Sequence, residues 1–111
     1  MGSRVRVPSA PPKWLNTESE LFKQLAFFMH MHFVYLLYSD NFDSFYIGYT
    51  TALERRLLEH NTGLTKSTKA KKPWRLVYHE TFDSQVDALR REKFLKAQKN
   101  KSFYRRISGL I

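Results

Sequence analysis

The chain contains no cysteine. That excludes a disulfide framework, a thiolate zinc site and a cysteine nucleophile, and it fits a reducing cytoplasm. No apolar run approaches the ~18 residues that a membrane span requires. The stretch Leu25 to Met29 is too short for the core of a signal peptide and has no small-residue cleavage site after it. Internal repeats and low-complexity tracts are also missing, and His30, His32 and His79 lack a spacing suited to a metal. Positive charge is what the chain has in excess: the formal net charge is +9 with a pI near 10.0. Residues 31–111 hold 15 Lys+Arg against 8 Asp+Glu, so the charge is not confined to a tail. A polyanionic partner, nucleic acid first, follows from that balance. Charge alone leaves open a basic protein with no such partner.

At 111 residues the chain has the length of one domain, burying about 60–70% of its unfolded surface. Residues 1–30 differ in kind from the rest. Arg4 to Pro12 carries three prolines and follows neither a period of 2 nor one of 3.6, so it should not fold alone. One reading makes residues 1–30 a disordered or misassigned extension, with Met29 or Met31 the biological start. The other makes it a basic arm, in which Ser19 to Met29 forms a short amphipathic helix through Leu21, Phe22, Leu25 and Phe28.

Beyond residue 30, two aromatic segments, Phe33 to Tyr38 and Ser44 to Tyr49, flank Ser39-Asp40-Asn41-Phe42-Asp43, which has turn chemistry. They predict a hairpin. A loop of Ser39 to Phe42 places Tyr35 directly opposite Tyr46, whereas a loop two residues longer leaves the two diagonal on one face. Thr51-Ala52-Leu53-Glu54 reads as a capping box and Asn61-Thr62-Gly63 as a stop, giving a helix over about 52–60. A polar, lysine-rich loop over 65–72 leads to an alternating strand over 74–80. A second helix starts near Ser84 and runs to about Lys99, and Phe103, Tyr104, Ile107 and Leu110 suggest a short terminal one. The order ββαβα plus a terminal helix predicts an α+β fold, a small three-stranded and mostly antiparallel sheet covered by helices.

Helical phase sorts the charged residues. With Leu53 at zero, Leu57 lies at about 40°, His60 at about −20° and Arg56 at about −60°, while Arg55 at about 200° faces out toward Glu59. Arg56 thus borders the inward stripe, either as a phosphate ligand or as a cation whose stem covers apolar surface. On the second helix Glu92 shares a face with Ala88 and Leu95. A carboxylate there requires a partner, either a cation such as Lys96 or a metal.

Val34-Tyr35 followed by Tyr46-Ile47-Gly48 resembles the paired tyrosine motifs of the GIY-YIG nucleases, with Phe33 and Val34 standing where the family name has Gly and Ile. The resemblance continues through Leu53 to Asn61, Lys72 to Tyr78 and Ala88 to Lys93. It covers roughly residues 31–111, and its order and spacing are those of the small single-domain bacterial members. It implies a GIY-YIG domain over 31–111 that hydrolyses DNA phosphodiester bonds with water as nucleophile, RNA remaining open. Glu92 would be the ligand of one Mg²⁺ or Mn²⁺, a hard cation for which a single carboxylate, water and substrate phosphate suffice.

Under the same resemblance Arg56 grips the scissile phosphate, and Tyr35 acts as general base or orients the attacking water, supported by Tyr46. A phenol of pKa about 10 needs a nearby cation for that role. His60, one turn beyond Arg56, is the alternative base. Lys66, Lys69, Lys71 and Lys72, with Arg75, are the candidate phosphate contacts outside the active site. Gly48 is expected to permit close approach of the first helix or of substrate. With no separate target-reading domain, cleavage should have low sequence specificity and be directed by DNA structure or a partner. The alternatives are a non-catalytic nucleic-acid-binding module and a protein-interaction domain.

Overall fold

The computed structural model describes residues 18–110. Its elements are α1 (Glu18–Met29), β1 (His32–Ser39), β2 (Ser44–Thr50), α2 (Leu53–Thr62), β3 (Arg75–Phe82), α3 (Gln85–Gln98) and α4 (Lys101–Ser108), with a single 3-10 turn at Lys69–Lys71 between α2 and β3. The strands form one antiparallel sheet in the order β2-β1-β3. β1 is central because Phe33-Val34-Tyr35-Leu36-Leu37 is apolar without alternation and can be buried on both faces. The α+β fold expected from the sequence is the one found. Residues 1–17 lie outside the described residues. Residues 18–29 form a helix whose Phe22 and Leu25 are exposed.

The sheet separates two cores. On one face Val34, Leu36, Ile47 and Tyr78 pack with Ala88 and Leu95 of α3 and Tyr104 of α4. On the other, Tyr35, Leu37 and Trp74 pack with Tyr46 and with Leu53 and Leu57 of α2. Alternation along β1 therefore sends its tyrosine at position 35 to the α2 side and its neighbours to the α3 side. An irregularity in the β1–β3 ladder leaves Val77 extra, with Leu36 opposite Tyr78 and Leu37 opposite Leu76.

The hairpin turns through residues 40–43. Ser39 pairs with Ser44 and Tyr35 with Gly48, so Tyr46 lies opposite Leu37. Of the two registers the sequence permits, this is the diagonal one, closed by a four-residue turn one position later than Ser39 to Phe42. Asp43 sits at φ 48 in that turn. Its carboxylate accepts from the Tyr38 hydroxyl at 2.9 Å and from the Arg105 guanidinium, tying the turn to α4. The terminal helix thereby selects the register, a partner invisible to local turn statistics.

Helix ends follow their signals unevenly. Ser84 caps α3 by accepting from the Asp87 N–H at 3.0 Å, and Gly63 ends α2 with φ 82. The expected capping box at Thr51 does not form. The N-cap of α2 is Ala52, without a side-chain bond, and its own N–H is taken by Thr50 Oγ1 at 3.0 Å. In the last turn of α2, Asn61 donates to the Trp74 carbonyl at 2.9 Å and accepts from the Trp74 N–H at 2.6 Å. That pairing clamps the helix end to the start of β3 and encloses the lysine-rich loop between them.

Candidate active site

Tyr35 is 2% exposed, and its phenol lies across Gly48, its partner in the ladder. What approaches Gly48 closely is the first strand's own phenol: the space a Cβ would fill is occupied by Tyr35. The Tyr35 hydroxyl meets His60 Nε2 at 2.9 Å, and His60 Nδ1 meets Thr68 Oγ1 at 2.7 Å. The Thr68 hydroxyl donates onward to the Thr65 carbonyl at 3.3 Å. Because Thr68 spends its proton on that carbonyl, it accepts from His60. In that arrangement the His60 proton sits on Nδ1 and Nε2 accepts from Tyr35. The phenol keeps its lone pairs for other donors.

His60 is fully buried and lies between the two tyrosines, with ring centroids 5.9 Å from Tyr35 and 4.8 Å from Tyr46. Tyr35 and Tyr46 are 6.3 Å apart, and Tyr46 contacts the Trp74 ring at 6.2 Å. Trp74 in turn donates its indole N–H to the Thr68 carbonyl at 2.9 Å. Five residues from β1, β2, α2 and the loop that leads into β3 thus brace one another.

Burial opposes charge on both partners of the central hydrogen bond. Burial pushes the Tyr35 phenol up to about 12, with Tyr46 adding to the rise, the Arg56 guanidinium opposing it and the Glu92 charge contributing a smaller increase. Burial and then the positive charge of Arg56 lower His60 to about 4. Both groups are therefore neutral at pH 7.

Arg56 and Arg55 separate as helical phase predicts. Arg56 is partly buried and bonds Glu59 Oε1 at 2.9 Å, whereas Arg55 is exposed and 3.7 Å from Glu59 Oε2. Glu59 first, and the Tyr35 hydroxyl after it, hold the Arg56 pKa above its usual value. Glu92 comes from α3, packed on the opposite face, and its mostly buried carboxylate pairs with Lys96 Nζ at 3.2 Å. Among the described residues no group of three or more His, Cys, Asp or Glu is placed to hold a metal. As a donor set, Glu92 supplies one carboxylate. It suits a hard divalent cation whose remaining ligands are water and substrate phosphate, in competition with Lys96.

Lys66, Lys69, Lys71 and Lys72 are exposed along the loop, with Lys71 Nζ at 3.2 Å from Ser44 Oγ. Arg75 is already engaged, bonding both Asp40 oxygens at 2.8 and 3.1 Å and lying 5.5 Å over the Tyr38 ring. The loop also contains Thr68, whose role gives no sequence signal: a threonine among lysines reads as spacer until the fold sets it beneath His60. Another residue group outside the sequence reading is Tyr78, Glu80 and Arg91. Glu80 is buried and accepts from the Tyr78 hydroxyl and, in bidentate fashion, from Arg91. An apolar groove of about 600 Å³ beside α2, lined by Phe33, Leu53, Leu57 and Leu76, contains none of the five candidate catalytic residues.

A paired-tyrosine hairpin with an arginine-bearing helix on one face and a glutamate-bearing helix on the other defines a small α+β domain. The GIY-YIG catalytic domain matches residues 31–106, and the chain belongs to that family. It is 39% identical over 69 residues to a UPF0213 protein of Staphylococcus saprophyticus, covering 61% of this chain and 83% of that one. It is 43% identical over 67 residues to a UPF0213 protein of Haloquadratum walsbyi, covering 60% of this chain and 74% of that one. Among solved structures, it matches the solution NMR structure of a UPF0213 protein from Bacillus halodurans at 34% identity and a TM-score of 0.45, covering 70% of this chain and 83% of that one. No helix among the described residues is long and apolar enough to cross a membrane.

Proposed function

We propose that this domain binds nucleic acid through its phosphates and hydrolyses the phosphodiester bond of DNA at the Tyr35–His60–Arg56 cluster, with low sequence specificity. The observation that carries this reading is the directed chain from Tyr35 through His60 to Thr68. It gives the phenol proton a buried acceptor, while the phenol oxygen, which also faces the Arg56 guanidinium, keeps a lone pair that can accept from water. Arg56 has five donors in a planar fork, and Glu59 occupies only part of it, so a phosphate can be gripped beside Tyr35. Glu92 would hold one Mg²⁺ or Mn²⁺, whose chemistry is to neutralise charge on the phosphate oxygens.

A second reading, a nucleic-acid-binding module without turnover, is favoured by the lone carboxylate. Among the described residues no group of three or more His, Cys, Asp or Glu is placed to hold a metal, and the Glu92 oxygen already faces Lys96. The two readings differ in one assay. Labelled linear, branched and single-stranded DNA, with RNA counterparts, are incubated with wild type and Glu92→Gln, each with and without Mg²⁺ or Mn²⁺. Catalysis predicts metal-stimulated cleavage that Glu92→Gln abolishes while binding persists. Tight binding by wild type with no cleavage of any substrate establishes the module instead.

A further inference from the structure

A second cavity, of about 290 Å³, opens at the α3–α4 junction and is lined by Lys71, Lys99 and Lys101 together with Ser44, Phe45, Asn100 and Tyr104. No carboxylate lines it. The nearest is Asp43, which lies 3.6 Å from Lys101 Nζ but is already engaged by Tyr38 and Arg105. The three lysines come from three places in the fold, namely the 3-10 turn, the residue ending α3 and the first residue of α4. Lys71 Nζ is anchored on Ser44 Oγ at the cavity's edge.

Two of these lysines stand where local structure disfavours them. Lys99 adopts the left-handed conformation, φ 46 and ψ 46, at the end of α3, a position that glycine or asparagine fills at lower cost. It is held there by a backbone bond, its N–H donating to the Tyr104 hydroxyl, which itself donates to the Leu95 carbonyl. Lys101 opens α4, where the helix dipole favours an acidic residue, and the first turn of α4 has none. Charge of the wrong sign at the start of α4 is what an anion in the cavity would offset. Asn100, the N-cap, uses its side chain on the Phe103 N–H. The remaining first-turn N–H groups of this eight-residue helix add to the positive field.

We propose that Lys71, Lys99 and Lys101 form a phosphate subsite, one that binds a backbone phosphate of the nucleic-acid strand next to the catalytic cluster. β2 connects the two places. Ser44 at the cavity and Gly48 beneath Tyr35 lie on one face of the strand, four residues or about 13 Å apart. The subsite thus sets which phosphate of a bound strand reaches Arg56. This rests on the reading that the domain binds nucleic acid.

Lys99→Gly separates binding from folding, because glycine relaxes the left-handed backbone while deleting the cation. Its thermal midpoint should equal or exceed that of wild type. Its affinity for a labelled oligonucleotide should fall, and the slope of log K against log salt should drop by about 0.7 for a single strand or 0.9 for a duplex. Lys101→Glu, which suits the helix terminus and reverses the charge, should lower affinity further at unchanged or higher midpoint. If wild type binds and both variants keep its slope and affinity, the subsite is wrong and the nucleic-acid reading stands. If wild type binds neither single-stranded nor duplex oligonucleotide at low salt, both fall together.

Discussion

Replacing Gly48 with alanine tests whether the glycine exists to make room for the Tyr35 phenol. Its backbone is not left-handed, so conformational freedom does not explain it. An added Cβ would stand 2.3 Å from the Tyr35 hydroxyl oxygen, 2.4 Å from Cζ and 2.9 Å from Cε1. To restore ordinary contact the ring must withdraw by about 1 Å from the new methyl. The ring cannot swing into solvent without leaving a core in which it is 2% exposed and hydrogen-bonded to His60. Overpacking of this kind costs about 1–3 kcal/mol. Alanine otherwise suits a strand interior better than glycine by about 0.5–1 kcal/mol, so the net destabilisation should be about 1–2 kcal/mol.

Chemical denaturation of Gly48→Ala measures that cost, and a double-mutant cycle identifies its source. Tyr35→Leu ends short of the three atoms involved. In that background Gly48→Ala should be neutral or stabilising, giving a coupling energy of about 1–3 kcal/mol. Any cleavage should fall by about 10²-fold in the single variant, because a catalytic oxygen displaced by about 1 Å loses its alignment. A Gly48→Ala protein as stable as wild type, or one equally destabilised in both backgrounds, would refute the steric account and return the glycine to a role in substrate or helix approach.

Three further outcomes follow from the same cluster. His60 has a folded pKa of about 4 against an ordinary 6.5, so between those values the unfolded chain binds the extra proton and stability falls as pH is lowered, by about 3 kcal/mol at most; unfolding curves at pH 7 and pH 4.5 should show this loss in wild type and a smaller one in His60→Gln. Thr68→Val strands the buried His60 Nδ1–H and should cost about 1–3 kcal/mol while Thr68→Ser costs less, with the histidine tautomer followed by ¹⁵N NMR: Nδ1–H in wild type and Thr68→Ser, shifting toward Nε2–H in Thr68→Val. A chain beginning at Met31 should melt within ten degrees of the full chain, because the strands and both cores lie beyond residue 31; a larger drop would give residues 1–30 a structural role.

What could be read from the sequence was what short-range physics controls. The run Phe33 to Leu37 declares a strand buried on both faces, Ser84 with Asp87 declares a helix start, and the phase of α2 separates Arg56 from Arg55. The features that escaped depend on partners distant in sequence. Arg105 of α4 holds the hairpin turn, and Asp40 satisfies Arg75 from 35 residues away. Thr68 is the sharpest case. Its neighbours Lys66 and Lys69 gave the loop a phosphate-binding look, yet the buried threonine between them connects that loop to Tyr35.

That connection bears on how a phenol near pKa 12 could serve as a base. With the phenol raised to about 12 and the histidine lowered to about 4, moving the proton between them is strongly uphill in the resting protein. A phenolate–imidazolium pair is therefore not the resting state. In a relay, water gives a proton to the phenol oxygen as the phenol gives its own to His60, and Tyr35 remains neutral at both ends. The acceptor strength that matters is then that of His60, which burial and the Arg56 charge depress. A phosphate bound by Arg56 would offset that second influence by bringing negative charge beside the guanidinium, raising His60 as the substrate arrives. Arg56→Gln should accordingly raise the His60 pKa above 4 in the free protein, measured by NMR titration, while weakening phosphate binding. An unchanged His60 pKa in that variant would show that burial alone sets it, and that substrate binding at Arg56 does not prime the base.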